Sequence, residues 1–435
     1  MASCARLGGN GTLNRQRIER LDELRRALGI DAPLRGQAGL GPLDDDEPDE
    51  SDSSPTTYRL RRQELHPELF DYQADLAQQM TACIAAGSRA LLSLPTGAGK
   101  TRTAAFALFL TFAEGDSQRA AWLAPTMELV DQAVDSLVSI WEQFGRAPDV
   151  TISRELMRDE SEYFVWVTTP QAVYARVRAA ELGVGAADFT VFDEAHQLGA
   201  RTFGRAVEAL SETADDSNAG AVIGLSATPG RAAEIETEDL ATFFDNRLLT
   251  SAKLGKNPVA TLQRRGVLSR LQFRRLPDPT LEVDPEAARI ESAARAVRLL
   301  TERQRRVLVF SESVPGALAM AEKLETVGVA ARAVHSALSR KERLDVINQF
   351  ATGNLSVLTN QRLLAAGYDC PSVNDVMILG RVSSSVLFEQ IVGRAARGPR
   401  TGGTRKATVW DFDDHLRLHG LPKSYYRYRD YDWSS

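Results

Sequence analysis

The sequence is poor in cysteine and has no long hydrophobic run. Cys4, Cys83 and Cys370 are its three cysteines, they lie far apart, and they form no CxxC pair that would indicate zinc or redox chemistry. The longest purely apolar stretch, 104–110, is far shorter than the roughly 20 residues that a membrane span needs. The N-terminus has no apolar segment followed by small residues, so no secretory signal is indicated. We therefore expect a cytoplasmic protein without a membrane span.

Net positive charge is also lacking. The chain carries a net charge of −6, but seven acids lie between Asp44 and Asp52, and without them the charge would be +1. Total charge therefore neither requires nor excludes a nucleic-acid surface, because the local field is what acts on phosphate groups. With 435 residues, 43% hydrophobic and 25% charged, the chain is predicted to form two or three globular domains.

The stretch Ser93–Phe106 predicts a phosphate-binding loop. A short apolar strand precedes it, and an apolar helix of roughly three turns follows it. Glycines allow successive backbone N–H groups to face a triphosphate, and the helix N-terminus adds partial positive charge. The P-loop pattern has a first glycine where this chain has Leu94, so the alternative is an ordinary glycine-rich turn. The predicted nucleotide-binding residues of the loop are Pro95, Thr96, Gly97, Ala98, Gly99, Lys100 and Thr101.

Strands and helices alternate on both sides of a long charged connection. This pattern predicts an α/β fold with two parallel sheets, each covered by helices on both faces. We divide the chain into an N-terminal arm (1–57), a first domain (58–250), a connection (251–285) and a second domain with its tail (286–435).

The arm is predicted to contain one amphipathic helix, 14–28, followed by an acidic linker too poor in apolar residues to build a core. We expect the arm to be mostly disordered. Its helix is predicted either to dock on a partner protein or to pack on its own chain. The C-terminal run YYRYRDYDW is predicted either to stack on bases or to pack against the second domain.

Several motifs follow in an order that resembles a superfamily 2 helicase with a DEAH-type box, over Leu65–Asp414. Bacterial DNA helicases and translocases related to type III restriction motor subunits are more similar than DEAD-box RNA helicases. The resemblance implies two tandem RecA-like P-loop NTPase domains that bind ATP and Mg²⁺. The motifs are YQ (72–73), PTGAGKT (95–101), APTMELVDQ, VTTPQ, DEAH (193–196), SATPG (226–230), LVFSES, TNQRLLAAGYDCP and QIVGRAAR (390–397).

The resemblance implies catalytic roles for residues of both domains. Lys100 would hold the outer phosphates, and Thr101 and Asp193 would hold magnesium. Glu194 would orient and deprotonate the attacking water. Arg394 and Arg397, three residues apart and so predicted to share a helical face, would act as arginine fingers with support from Gln390.

Further roles also follow from the resemblance. Tyr72 and Gln73 resemble the adenine-reading motif, but Phe70 and Asp71 precede them where an Arg is common. Gly367 and Asp369 are predicted to sense nucleotide. The residues predicted to couple phosphate state to the domain interface are His196, Ser226, Ala227 and Thr228. Those predicted to contact a nucleic-acid backbone, each with a helix cap or strand-end bond as the alternative, are Thr126, Thr168, Thr169, Ser311 and Thr359.

These features predict a DNA-stimulated ATPase that acts as the motor of a bacterial DNA repair or anti-phage system. No nuclease domain or cysteine-rich module follows QIVGRAAR, so cutting would need a partner, such as a nuclease subunit. Two alternatives remain open: an RNA helicase or remodeller, and an ATP-switched clamp that binds DNA without moving along it.

Overall fold

The computed structural model describes residues 57–60, 69–115, 118–144, 149–155, 163–178, 187–197, 201–211, 220–227, 234–277, 284–361, 363–365, 373–412 and 415–419. The predicted N-terminal helix, the acidic linker and the aromatic tail lie outside these ranges. No helix within them combines the length and the apolar character that a bilayer crossing requires.

The first domain alternates strands and helices along the chain. Its strands are β1 (Thr57–Leu60), β2 (Arg89–Ser93), β3 (Arg119–Leu123), β4 (Val150–Ser153), β5 (Tyr163–Thr168), β6 (Phe189–Asp193), β7 (Ala221–Ser226) and β8 (Leu248–Leu249). Its helices are α1 (Asp71–Ala85), α2 (Lys100–Glu114), α3 (Met127–Trp141), α4 (Pro170–Arg178), α5 (Arg201–Ser211) and α6 (Glu234–Phe243).

The first sheet brings the ends of three separate strands together. Its strand order is β1-β4-β5-β3-β6-β7-β2-β8, and every neighbouring pair is parallel except β1 with β4. In this order Ser93 pairs with Ser226, and Asp193 pairs with Leu225. The carboxyl ends of β2, β7 and β6 therefore lie side by side, which is where ligands bind in open α/β sheets.

Helices cover both faces of this sheet. Leu76, Leu108 and Val134 from α1, α2 and α3 pack into one core, and Val207 and Leu240 from α5 and α6 pack into the other. The strands between them are buried on both faces, as parallel strands commonly are. The loops at the strand ends thus stand on a rigid, fully covered sheet.

The connection between the domains is firmly packed. It contains helix α7 (Pro258–Arg264), capped by Asn257, whose side-chain oxygen accepts the Ala260 N–H at 3.0 Å. Val267 and Leu268 are buried in the core of the first domain. Burying a side chain of this size contributes roughly 1.5–3 kcal/mol. The connection also contains an unpredicted strand, β9 (Arg270–Arg275), which joins the second sheet.

The second domain repeats the α/β pattern. Its further strands are β10 (Val307–Phe310), β11 (Ala331–Val334), β12 (Val357–Asn360), β13 (Asp375–Ile378) and β14 (Lys406–Asp411). Its helices are α8 (Pro285–Thr301), α9 (Val314–Thr326), α10 (Arg340–Thr352), α11 (Ser385–Gly393) and α12 (His415–His419). The six strands are all parallel, in the order β11-β12-β10-β13-β14-β9. The predicted fold class, two tandem RecA-like domains with parallel sheets, is confirmed.

Two histidines of α12 hold the segment that leads into α11. His415 Nε2 accepts the Val382 N–H at 2.9 Å, so its proton is on Nδ1, which lies 3.2 Å from Asp411 Oδ2. His419 Nε2 donates to the Val382 carbonyl at 2.6 Å. The Phe388 ring of α11 packs against both imidazoles, with centroids 5.8 and 5.2 Å apart. These contacts position the start of α11, the helix that ends at the interdomain cleft.

Candidate active site between the two domains

The loop between β2 and α2 has the shape of a phosphate-binding loop. Gly97 and Gly99 adopt φ angles of 86° and 88°, in the left-handed region that glycine tolerates, and the Ala98 N–H donates to the Pro95 carbonyl at 2.9 Å. Gly99 is the N-cap of the 15-residue helix α2, which begins at Lys100. The glycine turn thus leads directly into the positive end of the helix, which is where anions bind.

Leu94 shows why the missing first glycine is tolerated. Its side chain is fully buried in the core of the first domain, and its N–H donates to the Ser226 carbonyl at 3.3 Å. Its φ is not positive, so the position does not require glycine. The departure from the P-loop pattern therefore leaves the loop conformation intact.

Two carboxylates lie at the end of β6. Asp193 is 5% exposed, and burial, together with the adjacent Glu194 charge, raises the pKa of its carboxyl to about 7, although Lys100 acts in the opposite direction. The Glu194 N–H donates to Asp193 Oδ1 at 2.9 Å. Glu194 itself has a φ of 53°, an unusual backbone conformation for a residue with a side chain. Such outliers are frequent at functional sites, where the surrounding structure enforces them.

The donor set fits a magnesium ion. Magnesium prefers oxygen ligands and is commonly held by one or two protein groups together with substrate phosphates. Asp193 supplies a buried carboxylate and Thr101 a hydroxyl in the first turn of α2, and a divalent cation would hold the Asp193 carboxyl ionised despite its burial. Among the described residues, no group of three or more His, Cys, Asp or Glu side chains could hold a metal ion alone.

His196 links this carboxylate pair to β7. Its Nδ1 lies 3.3 Å from Glu194 Oε2 and 3.3 Å from Ser226 Oγ. All three side chains are buried, and Ala227 follows directly with 5% of its surface exposed. The residue that follows β6, Glu194, is thus connected through the His196 imidazole to the end of the neighbouring strand β7.

The start of α1 holds the phosphate loop from its other side. The Tyr72 hydroxyl donates to the Ala98 carbonyl at 2.7 Å, and the Gln73 amide nitrogen donates to the same oxygen at 3.2 Å. Burial raises the pKa of Tyr72 above its usual value, so the hydroxyl keeps the proton it donates. Gln73 Oε1 accepts the Phe70 N–H at 3.0 Å. One end of the Gln73 amide thus caps α1, and the other ties α1 to the loop.

The second domain contacts the loop directly. Arg397 Nη1 donates to the Gly97 carbonyl at 3.2 Å, and a Cβ placed on Gly393 would lie only 2.5 Å from Thr96 Cγ2. The Ser269 N–H donates to the Ala396 carbonyl at 2.8 Å, which fixes this segment to the connection. The cleft between the domains is therefore closed over the phosphate loop.

The two arginines do not share a helical face, which corrects the argument from their spacing. Helix α11 ends at Gly393, and Arg394 is its C-cap, with its Nε donating to the Gln390 carbonyl at 3.3 Å. Arg397 lies beyond the helix, in an antiparallel bridge with Leu268. The polypeptide leaves the helix because it pairs with the connection, and this turn directs Arg397 toward Gly97.

Family models match both halves of the chain. The model of the type III restriction enzyme, res subunit, matches residues 66–231, and that of the helicase conserved C-terminal domain matches residues 290–399. The chain belongs to the superfamily 2 helicases. A curated relative of this helicase, UvrABC system protein B of Caldicellulosiruptor bescii, is 35% identical over 127 residues. That match covers 28% of this chain and 19% of the relative, so the chain spans about a fifth of the relative's length.

Solved structures share the helicase fold. A fragment of an HsdR subunit of a type I restriction enzyme from Vibrio vulnificus has a TM-score of 0.58 and 19% identity, over 81% of this chain and 65% of that one. Dbp5 of S. cerevisiae, bound to RNA and ADP BeF3, has a TM-score of 0.56 and 19% identity, over 81% and 90%. At such identities the likeness concerns the arrangement of the two domains alone.

The helicase residues predicted to contact nucleic acid have different surroundings. Thr126 is exposed and Thr169 partly buried, and each hydroxyl accepts a backbone N–H at the start of a helix, at 3.4 and 3.3 Å. Thr168 and Ser311 are buried, and Ser311 Oγ has no hydrogen-bond partner in the described part of the chain. Thr359 makes the strand-end hydrogen bond that was the alternative to a nucleic-acid contact. It is 0% exposed and donates to the Ala317 carbonyl at 2.7 Å, so it supports the core of the second domain.

Three predicted site residues lie outside the described ranges: Thr228, Gly367 and Asp369.

Two contacts of the helicase cleft were not predicted. Val267 and Leu268 of the connection pair with the segment that contains the two arginines, 394–397, and with Gly398 directly after it. In the second contact, Arg400 lies over the ring of Phe70. The apolar pair within a basic stretch was the available signal for the first contact, whereas nothing in the sequence indicated the second.

Magnesium binding by this helicase is expected to weaken in acid. Because the pKa of Asp193 is raised to about 7, the carboxyl is neutral below that pH and loses its value as a metal ligand. We expect the apparent affinity for Mg²⁺ in the presence of ATP to fall about tenfold for each pH unit below the midpoint. Titration of Mg²⁺ between pH 5.5 and 8.5, with Kd read from nucleotide fluorescence, measures this.

The control separates the protein from the nucleotide, whose phosphates also titrate. Glu194→Gln removes the neighbouring negative charge that helps to raise the pKa of Asp193, so its midpoint should lie at lower pH than that of the wild type. Identical midpoints in the two proteins would assign the pH dependence to the nucleotide and contradict the prediction.

Proposed function

We propose that this helicase hydrolyses ATP in the cleft and uses the cycle to translocate on DNA, as the motor of a bacterial DNA repair or anti-phage system. The observation that carries the proposal is the 3.2 Å hydrogen bond from Arg397 to the Gly97 carbonyl. A guanidinium from the second domain meets the loop that would hold the phosphates. A triphosphate bound there contacts both domains, so its hydrolysis changes the contacts between them.

The residues of the cleft have the chemistry that this reaction needs. Lys100 lies at the N-terminus of α2, next to the loop N–H groups that would cradle the phosphates. Thr101 and Asp193 would hold Mg²⁺, which supplies neutralising charge to the phosphate oxygens. Glu194 would orient the attacking water and accept its proton. Arg397, with Arg394, would stabilise the charge that develops on the transferred phosphoryl group.

His196 provides a route from hydrolysis to movement. It contacts both Glu194 and Ser226, so a change at the water-activating carboxylate reaches the end of β7 through one side chain. Ser226 begins the predicted coupling motif, which also includes Ala227 and Thr228. We infer that this chain of contacts transmits the phosphate state to the loop that follows β7.

DNA is the proposed polymer because of the matched families. The first domain matches a restriction-enzyme res subunit, and one similar structure is named as a restriction-enzyme subunit. Thr126 and Thr169 lie at helix starts beside the carboxyl ends of β3 and β5, where a strand backbone could be held without base recognition. Cutting of DNA would be the task of a separate nuclease subunit, and the N-terminal helix 14–28 is the proposed docking element for a partner protein.

ATP turnover with added polymers tests this function. Turnover should rise with single- or double-stranded DNA and rise less with RNA of the same sequence, with Lys100→Ala as the background for contaminating ATPases. Stimulation by RNA alone would favour an RNA remodeller, and stimulation by neither would contradict the proposal. An assay for a displaced oligonucleotide separates a motor from a clamp. Proteins that co-purify with the full chain but not with a chain lacking residues 1–57 would identify the partner.

A further inference from the structure

Two segments of the chain are rich in arginine and contain no acidic residue. Residues 246–277, which contain α7 and β9, carry eight arginines and lysines and no aspartate or glutamate. Residues 390–410 carry five arginines and lysines and likewise no acid. The whole chain has a net charge of −6, so its positive charge is concentrated in these two segments rather than spread evenly.

The fold joins both segments at one edge of the second sheet. β9 is an edge strand beside β14, and the two run parallel, with Arg270 next to Lys406 and Arg274 next to Trp410. The Arg270 N–H also donates to the Arg405 carbonyl at 2.9 Å. The pairing thus merges the acid-free segments into one surface, here called the β9 surface. Its exposed cations are Arg270, Arg274, Arg275, Arg405 and Lys406.

One face of β9 is turned toward the solvent. Leu271 and Phe273 pack into the core of the second domain, so the alternation along a strand puts Arg270 and Arg274 on the opposite face, where both are exposed. Four residues of extended strand separate these two by about 13 Å. The Arg274 guanidinium lies 5.7 Å from the centre of the Trp410 ring, which holds it at the surface. The cations are therefore spread along the strand and accessible to a large ligand.

The cations of the β9 surface are not neutralised by a described carboxylate. The nearby Arg265 has its Nη1 2.6 Å from Asp71 Oδ1, but none of the five forms an ion pair with a residue of the ranges that the structure describes. The local field is therefore positive, and it attracts phosphate groups whatever the net charge of the chain. Four of the five are arginines, whose planar guanidinium can meet two phosphate oxygens at once.

The β9 surface is separate from the residues predicted to contact nucleic acid. All six strands of the second sheet are parallel, and Arg270 and Lys406 are the first residues of β9 and β14. Ser311 directly follows β10, so it lies at the carboxyl edge of the sheet, whereas these two cations lie at the amino edge. Thr126 and Thr169 belong to the first domain. A polymer held by the β9 surface would therefore make an additional contact.

We propose that the β9 surface is a second DNA-binding surface, which holds the phosphate backbone of a duplex without reading its sequence. The choice of DNA rests on the proposed function, whereas the surface itself follows from the charges and the strand pairing. Two linked binding surfaces hold one polymer more tightly than either does alone. The β9 surface thus keeps the chain on DNA while the contacts near the cleft change during the ATP cycle.

The acidic linker of the same chain is the competing occupant, because it carries seven acids between Asp44 and Asp52. The strand order argues against it. β1 begins at Thr57 and is at the opposite edge of the first sheet from β8, which leads into the connection, so about 34 Å of sheet separates them. The 13 residues 44–56 span at most about 45 Å. The linker would have to be almost fully extended across the first domain, so DNA is the favoured occupant.

Binding of a fluorescent DNA duplex to the full chain, without nucleotide and at about 50 to 200 mM salt, tests the surface. Arg270→Ala combined with Lys406→Ala should raise Kd about tenfold. It should also make the slope of log affinity against log salt shallower by about two, because each phosphate contact contributes about one. The matched control, Arg332→Ala with Lys341→Ala, removes the same charge from exposed positions at the β11 edge of the sheet and should bind like the wild type.

ATP turnover provides a second readout, and melting temperatures verify that each variant is folded. The double variant should need about tenfold more DNA for half-maximal stimulation and should reach the wild-type maximum, because its cleft is unchanged. Wild-type Kd and slope in the double variant, or no binding of the duplex by the wild type, would overturn the surface.

Two further outcomes separate the occupant and the function. A loss of affinity that appeared only in a full chain with the seven linker acids replaced by Asn and Gln would assign the β9 surface to the linker, and the assignment to DNA would be wrong. DNA binding that depended on Arg270 and Lys406 but did not stimulate turnover would support the surface and overturn the proposed function.

Discussion

Glu194→Gln is expected to slow ATP turnover by about 10²–10⁴-fold, the usual contribution of a general base, while ATP binding stays within a few-fold of the wild type. The substitution keeps the size and shape of the side chain and removes its negative charge and its ability to accept a proton. Glu194 is buried between Asp193 and His196 and has a strained φ of 53°. Such strain is typical of functional residues, so we expect the carboxylate to take part in the reaction. Single-turnover kinetics with an independent measurement of Kd check the prediction.

The control for this variant is Glu238→Gln, on the exposed surface of α6, which should leave turnover unchanged. Trapped ATP should also keep the two domains together, so Glu194→Gln should retain DNA longer than the wild type in the presence of ATP. Turnover at the wild-type rate would show that another group activates the water, and Glu194 would then be a structural partner of His196.

The phosphate loop was predictable because its determinants are local. Glycine positions, a preceding apolar strand and a following apolar helix form one continuous stretch, Arg89 to Glu114, and the structure follows them from Ser93 through Gly99. Leu94 departs from the motif, yet burial and a bond to Ser226 keep the backbone in place. The order of the motifs likewise predicted which strand ends would meet, since parallel α/β sheets place them at one edge.

Features that depend on the approach of distant segments were not predictable. The spacing of Arg394 and Arg397 suggested one helix, but pairing with Leu268, more than a hundred residues earlier, ends the helix at Gly393. Strand β9 reads as a charged linker because four of its six residues are polar, and it is an edge strand that needs little apolar character.

Thr359 shows the same limit for a single side chain. A threonine at the end of a strand has equal reason to face solvent or to bond within the core. The neighbouring helix α9 decides the outcome, because its Ala317 carbonyl accepts the Thr359 hydroxyl. Only the tertiary structure could therefore distinguish a nucleic-acid contact from a core contact at this position.

Arg397→Ala is expected to reduce turnover by about 10³-fold or more, the range found for arginine fingers. The guanidinium already reaches the Gly97 carbonyl at 3.2 Å, so it stands at the loop before any phosphate arrives. Its positive charge would stabilise the transition state more than bound ATP, so kcat should fall far more than ATP affinity. Arg397→Lys should recover little, because an ammonium lacks the planar fork that meets two phosphate oxygens.

Ser269→Ala separates this catalytic role from a structural one. The Ser269 hydroxyl donates to the Arg397 carbonyl at 2.6 Å, so its loss disturbs the same segment without touching the guanidinium. We expect Ser269→Ala to lower stability by about 1 kcal/mol and to keep most of the turnover. Thermal unfolding and steady-state kinetics of both variants decide between the roles. If Arg397→Ala lost stability as Ser269→Ala does but kept kcat, Arg397 would only hold the cleft closed, and the transition state would depend on Arg394.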